Sequence, residues 1–410
     1  MKEIVIIGGG SSGVLAAIFA KNDNNKVTIL ERNSTLLKKL LMTGNGKCNY
    51  YNEDQNIKNY HSQNTDILEK IITKKNTDAV INYFNNLGVV PKIKNGYYYP
   101  FSNQAVTIKN VLENEINRLG INVIYSALVE DIKKDKDKDK FIIKYNSNQI
   151  TCDNVVLAVG SKAYPKTGSD GCGYKFLSRF NHNIIKPLPA LVQLECSFKY
   201  ANDWAGVRTD VAVSVIENGK LIASEEGEIQ LTDYGVSGIC IFNLSHYVTR
   251  GLDEGKNEEI EINFVPFIKD DVSEWLKKHS SKLKVNLKNI LEGILNYKLV
   301  NIILRRANLD GEYSFSDLSD WDIKRLANAL SKFKLTVTGT KSFDFSQVCN
   351  GGLKLEEINP NTFESLKVKG LYITGELLDI NGNCGGYNLT NCFISGMRAG
   401  EDICVKSKTN

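Results

Sequence analysis

The sequence predicts an α/β protein of Rossmann type, a doubly wound parallel sheet built from both chain ends with a mixed β and α insertion between them. A β-branched run over 2–7 leads directly into Gly8-Gly9-Gly10-Ser11-Ser12-Gly13 and an Ala-rich helical segment, followed by a second strand over 26–30. Two more short apolar runs, 155–159 and 371–374, each run into a glycine, Gly160 and Gly375. Between about 188 and 345 the texture changes to alternating segments and then helical ones.

Each element follows from its pattern. Short β-branched runs bounded by glycine read as strands buried on both faces of a parallel sheet. The helical segment after Gly13 extends to about residue 22, and Glu31 ends the second strand, completing a β-α-β unit. The run Lys133 to Lys140 alternates in charge between strand-like stretches at 128–132 and 141–145, the pattern of a solvated hairpin turn. Alternation over 211–216 and 259–264 predicts antiparallel strands. Helices are expected at 272–278, 297–307 and 321–332, with Trp321, Leu326, Ala329 and Leu330 near one face.

At 410 residues, 42% hydrophobic and 24% charged, the chain can bury a large core in two or three domains and is neither disordered nor fibrous. The net charge is only +4, and Lys outnumbers Arg 42 to 9, whereas bidentate readout of nucleic acid favours Arg. A dedicated nucleic-acid binder is not expected. Nine scattered cysteines lack C-x-x-C spacing, and the four histidines have no carboxylate or cysteine at ligand spacing, so reduced thiols, no metal and a cytoplasmic location are expected. No apolar run reaches the roughly 18 residues of a spanning helix.

The spacing Gly8-x-Gly10-x-x-Gly13 after a strand and at the start of a helix is a dinucleotide fingerprint. Gly8 permits the turn, Gly10 admits a pyrophosphate to the backbone, and Gly13 lets the helix sit close on the sheet. Glu31 is placed to accept both adenosine ribose hydroxyls and would repel the extra phosphate of NADP, so the site suits FAD or NAD. Beyond a simple dehydrogenase unit, the chain carries glycine-rich elements at 160–173 and 382–386. The second begins a helix with small or apolar residues at Leu389, Cys392, Phe393, Gly396, Ala399, Gly400 and Ile403. A helix N-terminus behind Gly385-Gly386 suits the flavin edge on which negative charge develops during reduction. Glu376 or Asp379 could hold ribityl hydroxyls.

These motifs, together with Lys39-Leu40-Leu41-Met42 and Thr43-Gly44-Asn45-Gly46-Lys47-Cys48-Asn49, resemble those of the HI0933-like (BaiN-like) flavoproteins, also called the aminoacetone-oxidase-like FAD-binding family. Pro100 to Ala105, Val156 to Ser161, Pro165 to Ser169, Gly227-Glu228 with Thr232 and Ser237-Gly238, and Gly375 to Asn388 match in order. The resemblance implies an FAD-binding Rossmann domain over 1–187 and 346–410, an inserted β-barrel-like domain over 188–265 and 335–345, and a small helical domain over 266–334. It implies that Gly8, Gly10, Ser12, Gly13, Glu31 and Arg32 hold the adenosine and pyrophosphate, with the Val129 backbone at the adenine. Lys39, the 43–49 loop with Thr43, Gly44, Asn45, Gly46, Cys48 and Asn49, Ala158, Gly160, Gly375, Glu376, Asp379, Gly385, Gly386, Tyr387 and Asn388 would hold the rest of FAD. Two departures stand out. Asp233 occupies a position where the family commonly has His, and 168–174 reads Gly-Ser-Asp-Gly-Cys-Gly-Tyr, which moves the acidic residue of the family pattern to Asp170.

The expected function is an FAD-dependent oxidoreductase acting on a small molecule, with NAD(P)H as a transient hydride donor, since only one dinucleotide fingerprint is present. An aminoacetone-type amine oxidase using oxygen, a flavin-dependent RNA-modifying protein and a non-catalytic flavin carrier are the alternatives. No acid–base pair is evident; Tyr164, Asp233 and Tyr387 are the candidates. Cys48 and Cys384 lie in loops expected at the flavin, where isolated buried thiols are commoner than a redox disulfide.

Overall fold

The strand Lys2–Ile7 lies at the centre of a five-stranded sheet in the order Leu371–Ile373, Asn154–Leu157, Lys2–Ile7, Asn25–Leu30, Asn122–Ile124, with every pair parallel. Its residues Ile4 to Ile7 are buried, as strands covered on both faces require. The computed structural model describes residues 1–135, 137–280 and 285–408. It divides into two units, Met1–Leu188 with Gln347–Asn410, and Pro189–Ser346.

In the first unit the helix Ser11–Ala20 packs against the C-terminal helix Tyr387–Lys408. Small residues make this possible. A Cβ on Gly396 would lie 2.2 Å from the Ser12 carbonyl oxygen, and one on Gly400 would lie 2.6 Å from that of Ala16. The ascending match of 396 with 12 and 400 with 16 makes the two helices parallel. The charged run 133–140 forms the hairpin between Val129–Asp135 and Lys140–Tyr145, where Lys134 pairs with Asp139 at 2.8 Å; Lys136 lies outside the described residues.

The second unit is a closed six-stranded barrel, in the order Leu194–Ser197, Gly235–Gly238, Lys220–Leu231, Arg208–Glu217, Glu258–Asn263, Phe333–Thr340. The helices Ile239–Asp253, Val272–Ser280, Leu287–Glu292, Tyr297–Ala307 and Asp320–Ser331 share one apolar core with it, in which Trp204, Phe264, Phe315 and Phe333 are fully buried. Tyr297–Ala307 has the expected bounds, opened by the Asn296 side chain accepting from Lys298 N and closed at Asn308 in a left-handed conformation. One expectation fails. Trp321 is 69% exposed, whereas Ile323, Leu326, Ala327 and Leu330 form the buried face. Five residues from Trp321 to Leu326 turn a helix by about 500°, which puts the indole well off that face.

On the strand Glu258–Asn263 the side chains of Glu258, Ile260 and Ile262 point inward. Burial, with Glu217 nearby, pushes the Glu258 carboxyl up to about 7 from an ordinary 4.5. The folded chain therefore holds this proton more tightly than the unfolded one. The resulting stabilisation is complete below the unfolded value and is lost as pH rises through about 7. Glu258→Gln is expected to unfold in urea with about 2 kcal/mol more stability than wild type at about pH 8, and with no gain at about pH 4. Gly396→Val, which drives a side chain into backbone, is expected to lower stability by about 2–3 kcal/mol in the same measurement.

Candidate functional site

A parallel sheet delivers the C-terminal ends of all its strands to one edge, where ligands of such folds collect. Here that edge gathers Gly8 to Gly13, Glu31, Ala158 to Gly160 and Gly375-Glu376 from four strands. Gly8 turns the chain with φ 103°, and a Cβ on Gly13 would lie 1.9 Å from the Gly8 carbonyl oxygen, so strand, turn and helix close tightly. A Cβ on Gly10 would meet nothing within 4 Å. The first intrahelical bond is Val14 N to Gly10 O, and no side chain caps this end. The amides of Ser11, Ser12 and Gly13 thus precede it beside open space, the arrangement that takes an anion.

Glu31 is buried and tied to this turn. Its Oε2 accepts from Gly9 N at 2.7 Å, and Oε1 accepts from Asn33 N and Nδ2, each at 2.7 Å. A carboxylate offers about four acceptor sites, so capacity for a hydroxyl donor remains. Arg32 turns away, donating to Gly168 O at 3.1 Å and to Asp170 Oδ2 at 2.6 Å. The acidic residue at the altered 168–174 position therefore holds Arg32 and also accepts from Cys172 N at 3.0 Å. Ala127 N donates to Glu31 O, which hangs the 126–129 segment, and with it Val129, beside this corner.

Lys39, Ser161 and Glu376 converge. Lys39 Nζ lies 2.6 Å from Glu376 Oε2, and the Ser161 hydroxyl donates to the same oxygen at 2.7 Å. Both Glu376 oxygens are thereby engaged by protein. Gly375 sits where a Cβ would lie 2.6 Å from Ser12 Oγ, joining this cluster to the first helix. Ala158 is buried, and Gly160 is in left-handed backbone beside Ser169. Asp379 Oδ2 accepts from Ser62 Oγ at 3.0 Å and Gln63 N at 2.8 Å, pinning the turn that opens the helix Thr65–Ile71.

The 43–49 loop runs through left-handed residues Gly44, Asn45, Gly46 and Cys48 and closes with Cys48 N donating to Thr43 O at 3.0 Å. Asn49 is oriented to donate to the carbonyls of Tyr51 and Tyr98. Burial pushes the Cys48 thiol up to about 12, so it stays protonated, and no disulfide joins any of the nine cysteines. The 385–388 turn packs on the neighbouring 50s strand, since a Cβ on Gly386 would lie 2.8 Å from the Tyr51 backbone. Asn388 clamps Gly382, accepting from its N and donating to its O, each at 2.8 Å. Tyr387 is buried edge-on to Tyr60. Because Gly396 lies level with Ser12, the N-terminus at Tyr387 extends past that level by nine residues, roughly 13 Å at 1.5 Å per residue. Two helix N-termini thus face the same way, each behind glycines, at staggered heights along one edge.

Of the other candidates, Tyr164 is half-buried in left-handed backbone in the first unit, and Asp233 is exposed in the barrel unit. The contacts of Asn33 and Ser161 carry no local motif. His182, isolated in sequence, is also paired: its Nδ1 lies 2.6 Å from Glu357 Oε2 and its Nε2 lies 2.9 Å from Ser365 Oγ. Ser365 Oγ also accepts from the amides of Lys367 and Val368, so this buried trio braces a turn. His61 Nε2 meets Asn383 Oδ1 at 2.8 Å beside the 385–388 turn. Among the described residues no cluster of three or more His, Cys, Asp or Glu could hold a metal, and no helix is long and apolar enough to cross a membrane.

Comparison with known proteins agrees with this architecture. The family model described as the HI0933-like protein Rossmann domain matches residues 2–402. The 3-dehydro-bile acid delta(4,6)-reductase of Clostridium scindens is 35% identical over 404 residues, 98% of each chain. The ribosomal RNA dihydrouridine synthase of Escherichia coli is 25% identical over 405 residues, again 98% of each. Among solved structures, the 3-ketosteroid-delta4-(5alpha)-dehydrogenase of Rhodococcus jostii RHA1 shares the fold, with a TM-score of 0.50 at 14% identity over 98% of this chain and 97% of that one. The chain belongs to the HI0933-like family and is a flavin-dependent oxidoreductase.

Proposed function

We propose that the chain holds FAD along the edge described above and uses NAD(P)H to saturate a carbon–carbon double bond conjugated to a carbonyl in a small-molecule acceptor. The observation that carries this is the pair of staggered, glycine-flanked helix N-termini, which suits a ligand with an anion at one end and a ring that gains negative charge at the other. The amides of 11–13 take the pyrophosphate. Glu31 takes a ribose hydroxyl and disfavours a further phosphate there. The Val129 backbone flanks the adenosine, while Arg32 is held by Gly168 and Asp170 and braces the 168–174 turn. The 43–49 loop, Ala158, Gly160, Gly375, Asp379 and Gly385 to Asn388 surround the remainder, while Lys39 and Glu376 neutralise each other and keep Gly375 against Ser12.

Bound FAD supplies two-electron hydride chemistry. In the net reaction hydride leaves the nicotinamide, which ends oxidised, and with one proton ends on the double bond, which ends saturated. The names of the relatives support this acceptor class. A delta(4,6)-reductase of a 3-dehydro bile acid and a synthase of dihydrouridine both describe saturation of a double bond conjugated to a carbonyl.

Anaerobic mixing tests the donor: NADPH or NADH is expected to bleach the bound flavin, and aminoacetone to leave it yellow. The opposite pattern would assign an amine oxidase instead. Glu31→Ala removes a charged acceptor and is expected to weaken FAD binding by at least about tenfold, read by flavin fluorescence on titration.

A further inference from the structure

A cavity of about 370 Å³ in the first unit is lined by Gly44, Lys47, Lys92, Lys94, Tyr99 and Asn103. One wall is the hairpin Pro91–Lys94 and Tyr97–Pro100, in which Lys92 pairs with Tyr99 and Lys94 with Tyr97. Directly paired residues and residues two apart share a face of a sheet, so these four side chains stand on one side. That side meets both loops assigned above to the flavin half of FAD. The Tyr99 ring is 3.6 Å from where a Gly44 Cβ would be, and the Tyr97 ring is 2.6 Å from where a Gly385 Cβ would be.

No carboxylate lines the cavity, and Lys47, Lys92 and Lys94 make no ion pair among the described residues. Elsewhere in this unit lysines such as Lys39, Lys367 and Lys406 are paired. Three unneutralised ammonium groups around one space repel each other, and an anion removes that cost. Lysine binds phosphate as a point charge, without the planar guanidinium fork that grips carboxylate and phosphate bidentately. A phosphate monoester is close to doubly charged at neutral pH, its second pKa being about 6, whereas a diester carries one charge. Convergence of three cations therefore favours a monoester. Tyr99 adds a flat ring against which a purine can stack.

The only dinucleotide fingerprint in the chain carries Glu31, which disfavours a 2′-phosphate, so a nicotinamide donor must dock elsewhere. We infer that this cavity docks the 2′-phosphoadenosine end of NADPH, and that the protein thereby selects NADPH over NADH. The inference rests on the hydride-donor reading above and specifies it.

Calorimetry on the flavin-loaded protein with adenosine 2′,5′-bisphosphate and with adenosine 5′-monophosphate, each as its 5′-methyl ester so that the two differ only in the 2′ monoester, reads the site without turnover. Anaerobic bleaching with NADPH and NADH reads it in the reaction. The bisphosphate is expected to bind at least about tenfold more tightly than the monophosphate, with NADPH similarly preferred over NADH. Lys92→Gln combined with Lys94→Gln, both at exposed positions, is expected to collapse both ratios towards one. Equal binding of the two adenosine phosphates, or ratios that persist in the double variant, overturns the inference. Tighter binding of a single-stranded RNA oligonucleotide than of the bisphosphate at these lysines also overturns it, making the face a nucleic-acid surface. If neither dinucleotide bleaches the flavin, the donor reading fails by itself; a bisphosphate preference lost in the double variant then still upholds the phosphoadenosine site.

Discussion

The lack of side chains at Gly396 and Gly400 lets the helices Ser11–Ala20 and Tyr387–Lys408 meet backbone to backbone, and the geometry of the first unit depends on that approach. A helix one methyl group further away would lift Gly375 off Ser12 and move the 385–388 turn relative to the first glycine turn. The second helix is anchored to the first at its middle rather than its start, so its N-terminus stands about two and a half turns beyond. One close contact thus sets both the direction and the spacing of two electropositive helix ends.

Electrostatics at this edge are arranged so that fixed charges cancel locally. Glu376 is satisfied by Lys39 and Ser161, and Asp170 by Arg32. What remains beside the open space at Gly10 is the uncapped helix end, with the Glu31 carboxylate close by. The anion-binding character therefore comes from backbone amides, which carry no side-chain rotamer entropy and need no reorganisation on binding. Cys48 fits the same pattern: buried and protonated, it adds packing to the 43–49 loop rather than charge.

Much of this was legible in the amino-acid sequence wherever the signal is local. The strand Lys2–Ile7, the turn after it and the helix Tyr297–Ala307 are each specified by neighbouring residues. Trp321 lies off the buried face because the three- and four-residue spacing that joins Ile323, Leu326, Ala327 and Leu330 does not include it. The pairings Lys39 with Glu376 and His182 with Glu357 join residues 337 and 175 positions apart, and no periodicity reports such partners. The three-lysine cavity was hidden in another way. Lys47 belongs to a loop and Lys92 and Lys94 to a hairpin, and whole-chain charge averages them with a balanced background.

The strand order carries a consequence for biosynthesis. The edge strand Leu371–Ile373 pairs with Asn154–Leu157, and the helix that covers Ser11–Ala20 is Tyr387–Lys408, far later in the chain. As the polypeptide leaves the ribosome, the sheet begun by Lys2–Ile7 keeps an open edge and an uncovered apolar helix until residues 371–408 have been synthesised. The barrel, by contrast, draws all its strands from 194–340 and closes on itself, leaving no edge on which the waiting half could template wrong pairing.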